Sequence, residues 1–160
     1  MVNTNSKFLL STLYLGVFLF FFTISMPFAD NAVAYIENNF FYDKVTAVIG
    51  ESTIFVTVAN TEDKRIKGLS GKKSIDKNEG MYFIFDYPDK YGIWMKDMNF
   101  PIDIIWINSH HEVVYILEKV SPNTYPKVFK PNKDAMYVLE LNAGFVETHN
   151  IKKGDIFTSI

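Results

Sequence analysis

The chain has 160 residues, of which 48 % are hydrophobic, and it contains no cysteine. That length suits one domain with or without a targeting segment, and the formal charge of −2 is unlike the basic surface of a nucleic-acid-binding protein. The lack of cysteine excludes disulfides, thiolate zinc sites, iron–sulfur clusters and a cysteine nucleophile. We therefore expect neither a nucleic-acid partner nor a redox function based on thiols.

An apolar segment lies near the start of the chain. Residues 8–28 carry no charge, follow Lys7 and precede Ala32-Val33-Ala34, which has the small-x-small pattern that signal peptidases cleave. We expect an export signal or, because about 20 apolar residues span a bilayer, an uncleaved inner-membrane anchor. In both cases the domain is periplasmic or secreted, and only this segment meets a membrane. The predicted division is a signal or anchor at 1–34, a spacer at 35–44 and a folded domain at 45–160.

Beyond the spacer, apolar and polar residues alternate with a period of two, as in half-buried strands. The first two runs flank Gly50-Glu51-Ser52, which predicts a hairpin, and Asn60-Thr61 is expected to cap a short helix that ends at Gly68. We expect a mainly-β, single-domain sandwich or barrel-like fold with one or two short helices. The later elements are predicted strands at 81–85, 93–98, 102–108, 113–119, 136–141 and 156–159, a proline-rich loop at 121–134 and a helical turn at 145–148.

Short motifs then occur in a fixed order: Gly-Leu at 68–69, Gly-Met-Tyr-Phe-Ile-Phe at 80–85, Trp-Met-Lys at 94–96, Pro-Ile-Asp-Ile at 101–104, Val-Leu-Glu-Leu at 138–141, Ala-Gly at 143–144 and Gly-Asp at 154–155. Over residues 45–160 this series resembles the family called domain of unknown function 192. The resemblance implies a mainly-β, often exported prokaryotic protein whose biochemical activity is not established. The sequence departs from the family pattern at Ser70, at Asp97-Met98 and at Asn123.

Arg65 is the only arginine, against fifteen lysines. A chain that otherwise uses lysine as its cation is expected to need the planar guanidinium here, either for a bidentate bond to an anion or for stacking on an aromatic ring. Two interpretations remain open at this stage. Arg65 is a clamp that ties the short helix to the sheet, or it contacts a bound anion directly.

Trp94, Lys96 and Asp103 form a second candidate group. If residues 94–98 pair with residues 102–106 across a turn, Lys96 lies opposite Asp103 and all three side chains share one face of the sheet. A tryptophan beside an ion pair is typical of sites for sugars and other polar ligands. The alternative is a structural cross-strand salt bridge over a half-buried tryptophan.

Two glutamates complete the set of candidates. Glu140 interrupts an apolar strand and shares a face with Val138, so its carboxyl group needs a partner. We predict Arg65 as that partner, with Lys96 as the second choice. Glu118 ends another apolar strand. It is interpreted either as a residue that lines the same ligand-binding cleft as the other candidates or as a strand-end charge that faces water.

The leading functional hypothesis is a monomeric, non-enzymatic binding or accessory domain of the cell envelope. It would bind a small polar ligand or glycan through Arg65, Trp94, Lys96 and Asp103, without a cofactor and without a metal site, because adjacent His110 and His111 point apart in a turn. One alternative is an envelope hydrolase with a carboxylate pair, Asp103 with Glu118 or Glu140, as its weak catalytic candidates. Another is a structural assembly partner that uses exposed aromatic side chains.

Overall fold

A computed structural model describes residues 43–160. The predicted export segment and spacer lie almost wholly outside these described residues, so the division of the chain before residue 43 stays a prediction. None of the helices within residues 43–160 has the length and apolar character needed to cross a membrane. The strands are β1 (Lys44–Ile49), β2 (Ser52–Ala59), β3 (Glu79–Asp89), β4 (Ile93–Trp94), β5 (Ile102–Ile107), β6 (Val113–Val120), β7 (Val128–Phe129), β8 (Ala135–Asn142) and β9 (Phe157–Ser159), and the α-helices are α1 (Glu62–Lys67) and α2 (Phe145–Thr148).

Seven of the strands form one sheet in the order β6-β5-β8-β3-β2-β1-β9, and β4 pairs with β7 in a separate ribbon. Every neighbouring pair is antiparallel except β2 and β3, which are parallel. Parallel neighbours need a crossover connection, and the segment that contains α1 provides it. The two edges of the sheet approach each other where Glu112 bridges to Ile156 and Phe157 N donates to His111 O at 2.9 Å. The sheet is therefore a curled half-barrel, which confirms the predicted mainly-β, barrel-like fold.

Apolar side chains cover both faces of the sheet. On β3, Tyr82 belongs to one buried cluster, whereas Met81 and Phe83 belong to the other, because successive side chains of a strand point to opposite faces. The helix α2 packs on the first cluster through Phe145 and Val146. The second cluster lies under the segment after α1 and under the β4–β7 ribbon, and the candidate site lies on this side of the sheet.

The helix α1 has the boundaries that its sequence predicts. Thr61 is the N-cap, and its side-chain oxygen accepts a hydrogen bond from Lys64 N at 3.4 Å. Gly68 ends the helix with a φ of 47°, a left-handed conformation that glycine adopts without steric cost. A helix of six residues is not stable alone, so its position depends on its contacts with the sheet.

Gly80 lets β3 and β8 approach each other closely, and its substitution by alanine is expected to destabilise the domain. A Cβ atom at Gly80 would lie 2.5 Å from Glu140 O and 2.6 Å from Leu141 Cδ2. The main-chain oxygen cannot move aside by a rotamer change, so the expected cost is about 1–3 kcal/mol in the free energy of unfolding. Urea denaturation measures this cost.

Gly92→Ala is the matched control, because the new Cβ would overlap only side-chain atoms, of which Val128 Cγ1 at 2.5 Å is the nearest. Val128 is 47 % exposed and can move toward solvent, so we expect a loss of under about 1 kcal/mol. Equal losses for the two variants would contradict a tight backbone contact at Gly80.

Candidate functional site

A cavity of about 250 Å³ opens on the side of the sheet that α1 and β4 cover. Its walls come from four elements that are distant in sequence: α1 and the residues after it, β3, β4 and β8. Most of the lining side chains are apolar or aromatic, and the two oppositely charged groups that matter most are Arg65 and Glu140. The lining residues include Arg65, Leu69, Phe83, Phe85, Trp94, Met98 and Glu140.

Glu140 forms the most buried polar part of this cavity. Only 5 % of the residue is exposed, and within residues 43–160 its carboxyl group makes neither a hydrogen bond nor an ion pair. Burial without a partner disfavours the charged form and raises the pKa of Glu140 to about 8. Near neutral pH Glu140 therefore has a protonated carboxyl group that can donate one hydrogen bond and accept others.

The single arginine reaches the cavity from α1. Arg65 Nη1 donates to Ile84 O at 2.7 Å, and the guanidinium lies over the ring of Phe85 with Cζ 5.2 Å from the ring centroid. These two contacts tie α1 to β3, so the predicted clamp is confirmed, and they use the planar geometry that lysine lacks. The predicted ion pair with Glu140 is wrong, because the ion pairs among the described residues include neither Arg65 nor Glu140.

Aromatic side chains extend the cavity outward. Trp94 lines it and is 46 % exposed, and Tyr125 beside it is 47 % exposed. Their rings meet edge to face with centroids 6.5 Å apart, an arrangement that aromatic pairs prefer. Both rings are accessible to a ligand that is larger than the cavity itself.

The predicted pairing of residues 94–98 with residues 102–106 is wrong. The strand β4 ends at Trp94, and Trp94 pairs with Val128 of β7. After Trp94 the chain turns, since Asp97 adopts a positive φ of 55° and Met98 N donates to Met95 O. Lys96 is exposed on this turn, and its carbonyl oxygen accepts a hydrogen bond from Ser70 Oγ at 2.8 Å. The structure therefore does not bring Lys96 to Asp103, and Lys96 does not line the cavity.

Asp103 is fully buried, but its partners are main-chain groups. Its Oδ1 accepts from Lys119 N at 2.8 Å and its Oδ2 accepts from Val146 N at 2.9 Å. The first bond satisfies an N–H at an irregularity of β6, where Lys119 has a positive φ of 54°. The second caps α2, whose N-cap residue Gly144 offers no side chain. Asp103 therefore holds β6 and α2 against β5 and is not part of the cavity.

The carboxylate pairs of the hydrolase hypothesis are not formed. Asp103 pairs with Leu141 across β5 and β8, and Ile104 pairs with Glu140, so Asp103 and Glu140 point to opposite faces of the sheet. Glu118 is exposed on β6, and both oxygens of Asp103 are already bonded to main-chain N–H groups. Glu118 is therefore interpreted as a strand-end charge in water.

The cavity wall has limited capacity for covalent chemistry. Among its lining residues, Ser70 has a hydroxyl group that already donates to Lys96 O, and no histidine is present to activate it. The described part of the chain also contains no group of three acidic or histidine side chains placed to hold a metal ion. What the geometry offers is a buried carboxyl group, a nearby guanidinium and apolar walls.

The lining side chains that the sequence did not single out as site residues include Phe83 and Phe85. Phe83 pairs with Val138, and Met81 pairs with Glu140, so the odd-numbered residues of this part of β3 share the face on which Glu140 lies. The alternation in the sequence indicates that the odd-numbered residues of β3 share one face. Only the pairing of β3 with β8 shows that Glu140 lies on that same face. Met98 had been assigned to a strand and lies instead in the turn after β4.

Comparisons with known proteins agree with this architecture. A crystal structure of a proposed transcription regulator from Sinorhizobium meliloti 1021 is similar with a TM-score of 0.70 and 27 % identity, covering 74 % of this chain and 95 % of that one. A protein of unknown function from Novosphingobium aromaticivorans DSM 12444 gives a TM-score of 0.67 and 25 % identity, covering 72 % of this chain and 84 % of that one. No curated protein matches the chain.

The sequence itself matches a described family over almost the whole folded domain. Residues 45–158 fit the family DUF192, described as an uncharacterized ACR. This range includes the curled sheet except for the first residue of β1 and the last residue of β9, and it includes every residue that lines the cavity. The chain belongs to the DUF192 family.

Proposed function

We propose that this domain binds a small, mainly apolar molecule that carries a polar group, and that the polar group contacts Glu140. The observation that carries the proposal is Glu140, a residue that is only 5 % exposed at a cavity wall and whose carboxyl group makes no hydrogen bond or ion pair within residues 43–160. A buried polar group without a partner lowers stability. A ligand that satisfies this group would remove that cost and would gain orientation from it.

The size and the walls of the cavity support a small apolar ligand better than the predicted glycan cleft. About 250 Å³ is below the range of cavities that hold drug-sized molecules, and the rings of Phe83 and Phe85 favour apolar groups. A sugar platform built on Trp94, Lys96 and Asp103 is not supported, because only Trp94 of these residues lines the cavity.

Binding is also better supported than the two alternatives. The raised pKa of Glu140 would suit a general acid, but neither Asp103 nor Glu118 lines the cavity as a second carboxylate. For an assembly partner we would expect a continuous apolar surface. Three tyrosines were the candidates for such a surface: Tyr87 and Tyr125 are exposed, but Tyr91 is stacked on Phe85 with ring centroids 3.5 Å apart.

The test compares the wild type with Glu140→Leu in a thermal-shift and ligand-observed NMR experiment. The probes are hexanol, benzamide, phenol, hexylamine, caproate, ε-aminocaproate and methyl glucoside. We expect at least one probe other than the glucoside to stabilise the wild type, by about 2.7 kcal/mol at a hundred times its dissociation constant. The same probe should have little effect on Glu140→Leu, because the polar contact is lost.

Glu51→Gln is the control, since Glu51 is an exposed carboxylate in the first hairpin, outside the cavity. This variant should respond to each probe as the wild type does. The proposal is rejected if no probe stabilises the wild type, or if the active probe stabilises Glu140→Leu equally well. Preference for methyl glucoside alone would favour a glycan site at Trp94.

A further inference from the structure

Arg65 and Glu140 line the same cavity without meeting, and the other two charged lining residues, Glu62 and Lys67, are exposed on α1. The guanidinium of Arg65 is fixed by its hydrogen bond to Ile84 O and by the ring of Phe85. Among the described residues the side chain of Arg65 makes no other hydrogen bond and no ion pair, so further N–H groups of its guanidinium remain free to donate. The carboxyl group of Glu140 is likewise unused. Each group is therefore available to a ligand.

The register of the sheet gives the spacing, along β3, of the two main-chain positions beside which these groups lie. Glu140 lies opposite Met81 on β3, and Arg65 is bound to the carbonyl of Ile84, three residues farther along the same strand. At about 3.3 Å per residue these two positions are roughly 10 Å apart. An α-amino acid carries both charges on one carbon and is too short to reach both groups, whereas a longer chain with one charge at each end can reach them.

The electrostatics of the cavity also favour a molecule with both charges. Arg65 repels a simple amine, and a simple carboxylate gives Glu140 no positively charged partner. A zwitterion places each of its charges beside the opposite charge of the protein, and these two pairings offset the cost of desolvating both charges. Charge-assisted hydrogen bonds of this kind are about twice as strong as neutral ones. Between the two ends, Leu69, Phe83 and Met98 offer apolar contacts to a hydrocarbon chain or ring.

We infer that the ligand is an extended zwitterion, with its ammonium group on Glu140, its carboxylate on Arg65 and an apolar spacer between them. This inference rests on the proposed function and specifies the class of molecule that the same cavity binds. An ω-amino acid such as ε-aminocaproate has a suitable length, because its extended chain separates the charges by about 7 Å, the length of two extended residues. The protein side chains cover the rest of the distance.

The test measures the affinity of the full domain for a matched series by isothermal titration calorimetry. The series is ε-aminocaproate, hexylamine without the carboxylate, caproate without the amine, and leucine with both charges on one carbon. We expect ε-aminocaproate to bind about tenfold or more tightly than each of the other three. Binding near pH 7 should also release about one proton per ligand, because the protonated carboxyl group of Glu140 ionises beside the ammonium group.

Variants assign each end of the ligand. Glu140→Gln and Arg65→Gln should each weaken ε-aminocaproate binding about tenfold or more, while Glu51→Gln leaves it unchanged. Glu140→Gln should also abolish the proton release. Arg65→Lys keeps the charge without the planar fork and serves as the second variant if Arg65→Gln fails to fold.

Three results would overturn the inference, and they can be distinguished from one another. If hexylamine or caproate binds as tightly as ε-aminocaproate and needs Glu140, the ligand is not a zwitterion, but the proposed binding function stands. If ε-aminocaproate does not bind while hexanol, phenol or benzamide binds through Glu140, the charge argument is wrong and the cavity prefers neutral ligands. The failure of every probe overturns this inference and the proposed function together.

Discussion

Replacing Asp103 with alanine is expected to lower the free energy of unfolding by about 3–5 kcal/mol, a large part of the stability of a small domain. Asp103 is fully buried, and its two oxygens accept hydrogen bonds from Lys119 N and Val146 N. The substitution leaves the buried Val146 N–H and the partly buried Lys119 N–H without their partner, and each such group costs about 1–3 kcal/mol. Urea denaturation, followed by circular dichroism, measures the change.

Glu118→Ala is the matched control, because Glu118 is a neighbouring carboxylate that is exposed on β6. Its loss should change stability by no more than about 0.5 kcal/mol. The stability loss of Asp103→Asn should lie between those of Asp103→Ala and Glu118→Ala. The amide oxygen of asparagine can still accept one hydrogen bond, whereas its amide nitrogen would face an N–H donor. A loss below about 1 kcal/mol for Asp103→Ala would show that water replaces the carboxylate at both main-chain groups.

The same two bonds explain why the sequence misdirected the assignment of Asp103. A carboxylate within an apolar strand needs partners, and this much could be predicted from the sequence. The partners are an N–H at an irregularity of β6 and an N–H at the start of α2, and every residue type except proline can supply an N–H group. Lys96 was the expected partner of Asp103 because a lysine close in the sequence can be identified from the sequence alone, whereas a particular main-chain N–H cannot.

The sequence predicted those features of the structure that depend on residues close together in the chain. Thr61 and Gly68 gave the correct ends of α1 because capping depends on residues within one turn. The first hairpin followed from Gly50-Glu51-Ser52 for the same reason. The unusual choice of arginine at position 65 correctly indicated a contact that needs a planar guanidinium, which the ring of Phe85 and the carbonyl of Ile84 provide.

Non-local pairing was the part that local patterns could not give. The alternation of Trp94, Lys96 and Met98 predicted a strand, but Asp97 turns the chain and the strand stops after two residues. The neighbours of β5 are β6 and β8, and β8 begins almost thirty residues after β5 ends. The cavity depends on this long-range pairing, so Glu140 could be recognised as a polar residue in need of a partner, but not as part of a cavity wall.

The second large effect is a pH dependence of stability that belongs to Glu140. Burial raises the pKa of Glu140 from its ordinary value of 4.5 to about 8. Between these values the unfolded chain has released the proton while the folded domain keeps it, so the free energy of unfolding falls by about 1.4 kcal/mol per pH unit as the pH rises. Above about pH 8 both states are ionised and this contribution stays constant.

Glu140→Gln is expected to remove this slope, because glutamine keeps the size and polarity of the side chain but does not ionise. The variant should therefore gain stability over the wild type as the pH rises, by up to roughly 5 kcal/mol between about pH 4.5 and 8. Urea denaturation of both proteins across this range measures the difference. Parallel curves would mean that Glu140 ionises in the folded domain as easily as in water.

Other acidic groups do not obscure this comparison. Hydrogen bonds to Lys44 and Lys119 lower the pKa of Glu79 and of Glu147 respectively, so their contributions are lost as the pH falls through the acidic range and are common to both proteins. The difference between the variant and the wild type therefore reports Glu140 alone. A ligand whose ammonium group pairs with Glu140 should flatten the curve of the wild type and leave that of Glu140→Gln unchanged, because only the wild type has a buried carboxyl group for the ligand to neutralise.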